Sequence, residues 1–379
     1  MKKIFMLVAV ACIFCALAAS AQSPALLRGP SVGSSQIVFG YGNEIWSVAR
    51  DGGVAHVLTT GPGTKAGPFL SPDGKWIAYT GRIDGNTDVY VIPAQGGVPR
   101  RLTFHPGPDQ ALGWTPDSQQ VLFSSIRNSY SRFVQMFTVG LQGGLPSEVP
   151  LPEAIMGSYS PDGKQIAYVP FWNRPGVAWK RYRGGRAARI WIARLSDSNI
   201  ERIPRDNSND LCPMWLGNKI YFLSDRNGPM TLFAYDTGSK KVETVVPSPG
   251  TDIKWASAAA GVIVYEQVGT LHRLDLATGK TSEIKVEVAG DLPARMPHFI
   301  KAAREISDFD ISPSGARAVF EAHGEIMTVP AQKGDIRNLT GTTGVAERSP
   351  AWSPDGRWIA YFFRRKRRVR TASALAGWH

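Results

Sequence analysis

Gly29-Pro30-Ser31-Val32-Gly33 gives a serine the G-x-S-x-G spacing of a nucleophile elbow. That chemistry needs a hydrophobic strand before the serine and a helix after it, so that the turn exposes the hydroxyl. Here a β-type run follows, and the segment is expected to be a flexible leading loop. Asp84, Asn86 and Asp88 have the spacing of a calcium loop, but its glycine and distal glutamate are missing. They are expected to be hairpin-turn residues, as is Asp225-Arg226-Asn227-Gly228. The six histidines, at 56, 105, 272, 298, 323 and 379, show no metal-ligand spacing. No catalytic residue, metal site or cofactor is therefore assigned.

One segment carries a different chemistry. Phe171–Gly185 interleaves aromatic rings with cations, and Arg174–Arg194 holds seven positive residues and no carboxylate. Such side chains can grip an anionic group, including a peptide carboxylate, by forked hydrogen bonds and cation–π contact. Trp179, Lys180, Arg181, Tyr182 and Arg183 are the candidate peptide-binding residues. The alternative is a solvated basic loop whose rings pack into the fold. On the binding reading, neutralising Lys180, Arg181 and Arg183 leaves thermal stability nearly unchanged.

The elements that would position this segment follow from a repeated phrase. Ser71–Tyr79 reads SPDGKWIAY, and Thr115–Phe123, Ser160–Tyr168, Ser312–Phe320 and Ser353–Tyr361 repeat its pattern, with weaker copies at Trp215–Leu223 and Ala259–Gln267. Proline presets φ at the second turn position and glycine supplies the left-handed one. The residues after the turn are β formers suited to burial on both faces. A period of about 40–50 residues signals a solenoid or a propeller. Each unit continues with a polar hairpin, a strand such as Asp88–Pro93, a Gly-rich turn and a short strand ending RLT, which is the grammar of a four-stranded blade.

Second strands begin near Ile37, Trp76, Val121, Ile166, Ile220 and Val262, giving six units before Gly290. The connector Asp291–Ser307 interrupts the rhythm, which resumes at Phe309 for one and a half units. The expected fold is all-β: a six-bladed β-propeller followed by an incomplete second one. The expected divisions are 1–21, 22–297, 298–362 and 363–379.

Composition fits this. A hydrophobic fraction of 43% with 10% aromatics suits a buried core rather than disorder. Lys2 and Lys3, the apolar run Ile4–Ala18 and Ala19-Ser20-Ala21 read as a secretory signal peptide cleaved after Ala21, implying export, a periplasmic location and no stable membrane anchor. Cleavage leaves Cys212 without an intramolecular partner. The formal charge of +12 falls to +4 without Lys2, Lys3 and the six cations of Phe363–Arg370, which does not point to nucleic acid. The Arg-rich tail loses the repeat grammar mid-blade. It is expected to be disordered, as a reading-frame shift or truncated gene would make it, with Val319, Phe320, Trp358 and Ile359 left uncovered.

Trp179–Ala193, Pro213–Gly228, Phe309–Gly334 and Glu347–Phe362 together resemble the tricorn proteases, over Ser34–Phe362. The SPDG turn itself, a WD40-like repeat, is shared with TolB and the propellers of prolyl-oligopeptidase-like enzymes; the WKRYRGG segment and the register of the second start are specific. The resemblance implies a six-bladed and a seven-bladed propeller ahead of a C-terminal half carrying the catalytic Ser and His. It implies a non-catalytic role here, gating or channelling peptides. It also implies an Arg pair anchoring the peptide C-terminus, but the matching stretch Phe104–Trp114 has no arginine. The alternative is a stand-alone TolB-like periplasmic propeller that binds protein partners. The start of a second propeller discriminates against it.

Overall fold

The computed structural model describes residues 26–131, 133–171, 181–247, 250–289, 301–342, 345–365 and 368–375, with side chains through Phe363. The chain divides into two compact units, Met1–Arg295 and Met296–His379. The N-terminal apolar run, Trp179 and Lys180 lie outside the described residues.

In the first unit each second strand predicted from sequence is present: Gln36–Tyr41, Trp76–Ile83, Gln120–Ser125, Gln165–Val169, Lys219–Ser224 and Val262–Gln267. Each is hydrogen-bonded on both sides within its own antiparallel sheet, and six such sheets follow in chain order. Their side chains are buried on both faces, as at Ile77, Ala78 and Tyr79, each 0% exposed. The reason is face-to-face packing. Val38 meets Ile77 and Tyr79 between blades 1 and 2, and Leu122 meets Ile166 and Tyr168 between blades 3 and 4. Each such buried side chain contributes roughly 1.5–3 kcal/mol, so the inter-blade layers carry the stability of a unit in which the one described cysteine, Cys212, forms no disulfide.

Ring closure was not legible from the repeats. Ile37 and Phe39 of blade 1 share one apolar layer with Val264 and Leu271 of blade 6. Leu26 and Leu27 donate their N–H groups to Gly269 O at 2.9 and 3.0 Å, and Arg28 pairs with the buried Glu266 at 2.8 Å. A further strand, Val286–Val288, runs parallel to Gly53–Val57 on the outer edge of blade 1. Gly52 is required there: its φ is +96°, and a Cβ would lie 2.4 Å from Lys285 O.

The second unit holds a four-stranded sheet beginning at Ile306–Ile311 and a three-stranded sheet of Glu347–Trp352, Trp358–Arg365 and Arg368–Leu375. This corrects two expectations. The Arg-rich tail is not without β structure, since its backbone pairs from Arg365↔Arg368 to Trp358↔Leu375. The tail's charge obscured this. Backbone pairing with an otherwise open strand edge does not need a fully apolar pattern, and Val369 and Thr371 are β formers. Val319 and Ile359 are also fully buried, with Ile326 between the two sheets. Trp358 is half-exposed, and on the innermost strand Phe309 and Ile311 stand open, 62% and 60% exposed.

Candidate functional site

The SPDG turns build one end of the central channel. In blade 2 the Ser71 hydroxyl donates to Asp73 Oδ1 at 2.6 Å and accepts the Trp76 N–H at 3.0 Å, while Gly74 takes φ +72°. Ser160 and Asp162 repeat this geometry, and the Ser160 hydroxyl with the Lys164 N–H holds the Asp162 carboxyl below its ordinary pKa. Neighbouring turns also touch, as the Asp73 N–H donates to Ser118 Oγ. A channel of about 520 Å³ is lined by the first-to-second-strand turns and innermost strands of all six blades.

The innermost strands share a device that the repeat analysis missed. Gly29, Gly67 and Cys212 have φ of +53°, +57° and +51°, each precedes a proline, and each sits at a break in pairing register. A bulge opens the ladder at that point, and proline has no N–H to leave unpaired. Ser349-Pro350 repeats the arrangement in the second unit. The readable signal was a proline three residues before the turn: Pro68 before Ser71, Pro213 before Leu216, Pro350 before Ser353.

Polar groups on the channel wall are spent on holding the ring. Ser31 Oγ accepts the Leu70 N–H at 3.0 Å, Ser158 Oγ the Trp215 N–H at 3.0 Å, and Ser257 Oγ the Val32 N–H at 3.2 Å, each joining adjacent blades. The G-x-S-x-G segment is thus the innermost strand of blade 1, Arg28–Val32, and not the expected leading loop. Its serine is a buried acceptor with a structural partner. Asp84 and Gly85 form a two-residue hairpin turn at positive φ, while Asp88 is fully buried against Arg101 and Thr103. Among the described residues no group of three or more His, Cys, Asp or Glu could hold a metal ion.

At the opposite end of the strands lie buried ion pairs. Asp109 holds Arg127 at 2.6 Å, and Asp210 holds Arg226 at 3.1 Å, both carboxylates 0% exposed. Each guanidinium lies between two rings, Arg127 over Phe123 and Phe137, Arg226 over Phe222 and Phe233, at 5.0–5.2 Å. The repeated F-x-S-x-R-N, at Phe123–Asn128 and Phe222–Asn227, was the sequence signal for them.

Of the basic aromatic segment between the second and third strands of blade 4, residues 181–185 are described, and Arg183 reaches this ion-paired end through Asp225. Arg183 donates to Asp225 Oδ2 at 2.8 Å. Asn209 Nδ2 holds Tyr182 O at 2.9 Å and Asn207 Nδ2 holds Arg183 O at 3.0 Å, which anchors the segment to blade 5. Arg181 adopts φ +56°. Asp225, expected to be only a turn residue, is buried at the centre of this contact. The expectation that Arg183 is neutral for stability is revised accordingly. Arg183→Ala is expected to lower stability by about 1 kcal/mol, a charged hydrogen bond discounted for solvent. Arg181→Ala should leave it unchanged, and urea denaturation of both variants is the check. An equal effect from the two would contradict the anchoring role.

A family model described as the tricorn protease N-terminal beta propeller domain matches residues 24–280. Tricorn protease homolog 1 of Streptomyces coelicolor is 28% identical over 350 residues, covering 89% of this chain and 32% of the relative. The Tricorn protease homolog of Saccharolobus solfataricus is 20% identical, covering 86% of this chain and 30% of the relative. This chain thus spans about a third of the length of these curated relatives. The crystal structure of the tricorn protease superposes with a TM-score of 0.63 at 18% identity, covering 92% of this chain and 43% of that one. A TolB structure from Acinetobacter baumannii gives a TM-score of 0.51 at 20% identity over 62% of this chain and 57% of that one. These likenesses support the propeller fold.

Proposed function

Because this chain belongs to the tricorn protease N-terminal β-propeller family, we propose that its six-bladed unit is a peptide conduit, gating or channelling segments to or from a catalytic partner region. The observation that carries this reading is a ring sealed between blades 6 and 1 around a channel of about 520 Å³. A closed ring of hydrogen-bonded inner strands presents a fixed bore, and side chains from all six blades can contact an extended chain inside it. Ser31, the serine of the elbow spacing, has no base beside it in this role: its hydroxyl oxygen accepts a backbone N–H from the next blade. Covalent hydrolysis needs that serine activated by a neighbouring base. The second repeat unit at 306–375 favours this reading over a stand-alone interaction propeller, which has no use for two further sheets.

The test has two arms. Purified protein should leave fluorogenic peptides intact, and Ser31→Ala should be equally inert on them. A benzophenone-bearing peptide should photolabel the innermost strands Thr64–Leu70, Gln110–Trp114 and Ile253–Ala259. Turnover abolished by Ser31→Ala, or labelling confined to the outer strands, would overturn the proposal.

A further inference from the structure

The channel lining has a chemical bias that the fold alone does not demand. Among the residues that line it there is no Asp, Glu, Lys, Arg or His. Its large side chains include Phe69, Trp114, Met156, Tyr159, Trp215 and Trp255, contributed by blades 2 to 6, and Tyr159 is the one phenol among them. Phe69 and Trp255 meet edge to face at a centroid separation of 6.0 Å, although they belong to blades 2 and 6. Their contact therefore bridges blade 1 on the channel side. Trp114 Nε1 donates to Phe69 O at 2.9 Å and fixes that wall from blade 3.

The cations and anions nearest the other end of the inner strands are already matched: Lys65 with Glu44, Arg127 with Asp109, Arg226 with Asp210, Arg28 with Glu266. A charged side chain entering the bore would lose water and find no counter-charge, a cost that an isolated buried ion cannot recover. An apolar or aromatic side chain loses nothing polar, and gains buried area with ring contacts.

Resting on the conduit reading, we infer that the channel selects uncharged peptide segments bearing apolar or aromatic side chains, with Trp255 and Phe69 as its recognition wall. The basic segment around Arg181 is then not what sets the preference.

Calorimetry on the full chain with three blocked peptides tests this: Ac-Ala-Phe-Leu-Ala-NH2, Ac-Ala-Glu-Asp-Ala-NH2 and Ac-Ala-Lys-Arg-Ala-NH2. The neutral peptide should bind at least about tenfold tighter than either charged one, a difference of about 1.4 kcal/mol. Its affinity should change less than about twofold between about 50 and about 500 mM salt, because no charge is there to screen. Trp255→Glu should weaken it by about tenfold or more, and Trp255→Phe by less than about threefold. Ala258→Glu places a charge on the same wall without removing a ring. It should act like Trp255→Glu, and it keeps the test decisive if that variant fails to fold. Equal or tighter binding of the acidic peptide, lost on Arg181→Ala, would overturn the inference and leave the conduit reading standing. Binding of none of the three would overturn both.

Discussion

Asp210→Ala is expected to destabilise the six-bladed unit by about 3–5 kcal/mol, the range for breaking a buried ion pair by removing one partner. Asp210 is fully buried and accepts from Ser208 Oγ at 3.1 Å, Ser224 Oγ at 2.6 Å and Arg226 Nη2 at 3.1 Å. Without it the Arg226 guanidinium keeps its two phenylalanine faces and Pro204 O at 3.3 Å, but no counter-charge. Two serine hydroxyls lose their shared acceptor as well. Urea denaturation followed by tryptophan fluorescence measures the loss. The double variant Asp210→Ala, Arg226→Met should recover most of it, since an apolar side chain between two rings needs no partner. A loss below about 1 kcal/mol for the single variant would mean that water reaches Arg226 and replaces the carboxylate.

A gain is expected in the second unit. In blade 1 the Thr59 hydroxyl donates to Glu44 at 2.6 Å, and the buried Lys65 of the next innermost strand donates to the same carboxylate at 2.9 Å. The second unit repeats the geometry: Thr340 Oγ1 donates to Glu325 at 2.9 Å, and the Glu347 N–H reaches Gly324 O as the Lys65 N–H reaches Asn43 O. The position of the lysine is taken by Glu347, 2% exposed, whose Oε2 has no hydrogen-bond partner. Burial, and then the neighbouring Glu325, push the Glu347 carboxyl above its ordinary pKa. The folded state therefore holds this proton more tightly than the unfolded chain does. That contribution is complete in acid and is lost as pH rises through the raised pKa.

Glu347→Lys should consequently stabilise the second unit at neutral pH by about 2 kcal/mol, the scale of one unsatisfied buried polar group relieved. Amide hydrogen exchange of Ile306–Ile311 and Arg317–Ala322 in the full chain would report it. Glu347→Gln should give a smaller gain that grows from acid toward neutral pH. A gain independent of pH, or slower exchange in the parent than in the lysine variant, would contradict the assignment.

Much of the fold was written locally. Turn chemistry and β propensity act within a few residues, so the Ser-Pro-Asp-Gly phrases and their following strands identified each second strand and six blades by sequence alone. The bulges and buried ion pairs also had local signatures, in the x-Pro steps and in F-x-S-x-R-N, but the spacing does not say what faces what. Asp210 and Arg226 look like ordinary turn and strand-end residues until the blade folds them together. The tail was misread because a run of like charges suggests an extended, unpaired chain, whereas an available strand edge supplied its pairing.

The candidate site was the least legible part. The sequence drew attention to Arg183 and its neighbours because clustered cations and rings are conspicuous. Tertiary structure gave Arg183 a carboxylate partner, Asp225, forty-two residues away. The channel wall is spread over residues from Ser31 to Ala260, one short piece per blade. No local pattern reveals that these pieces converge, or that none brings a charge. Local turn and strand preferences determined by themselves that this chain folds into blades. Ring closure, a property of the first and last blades packing together, decided what those blades enclose.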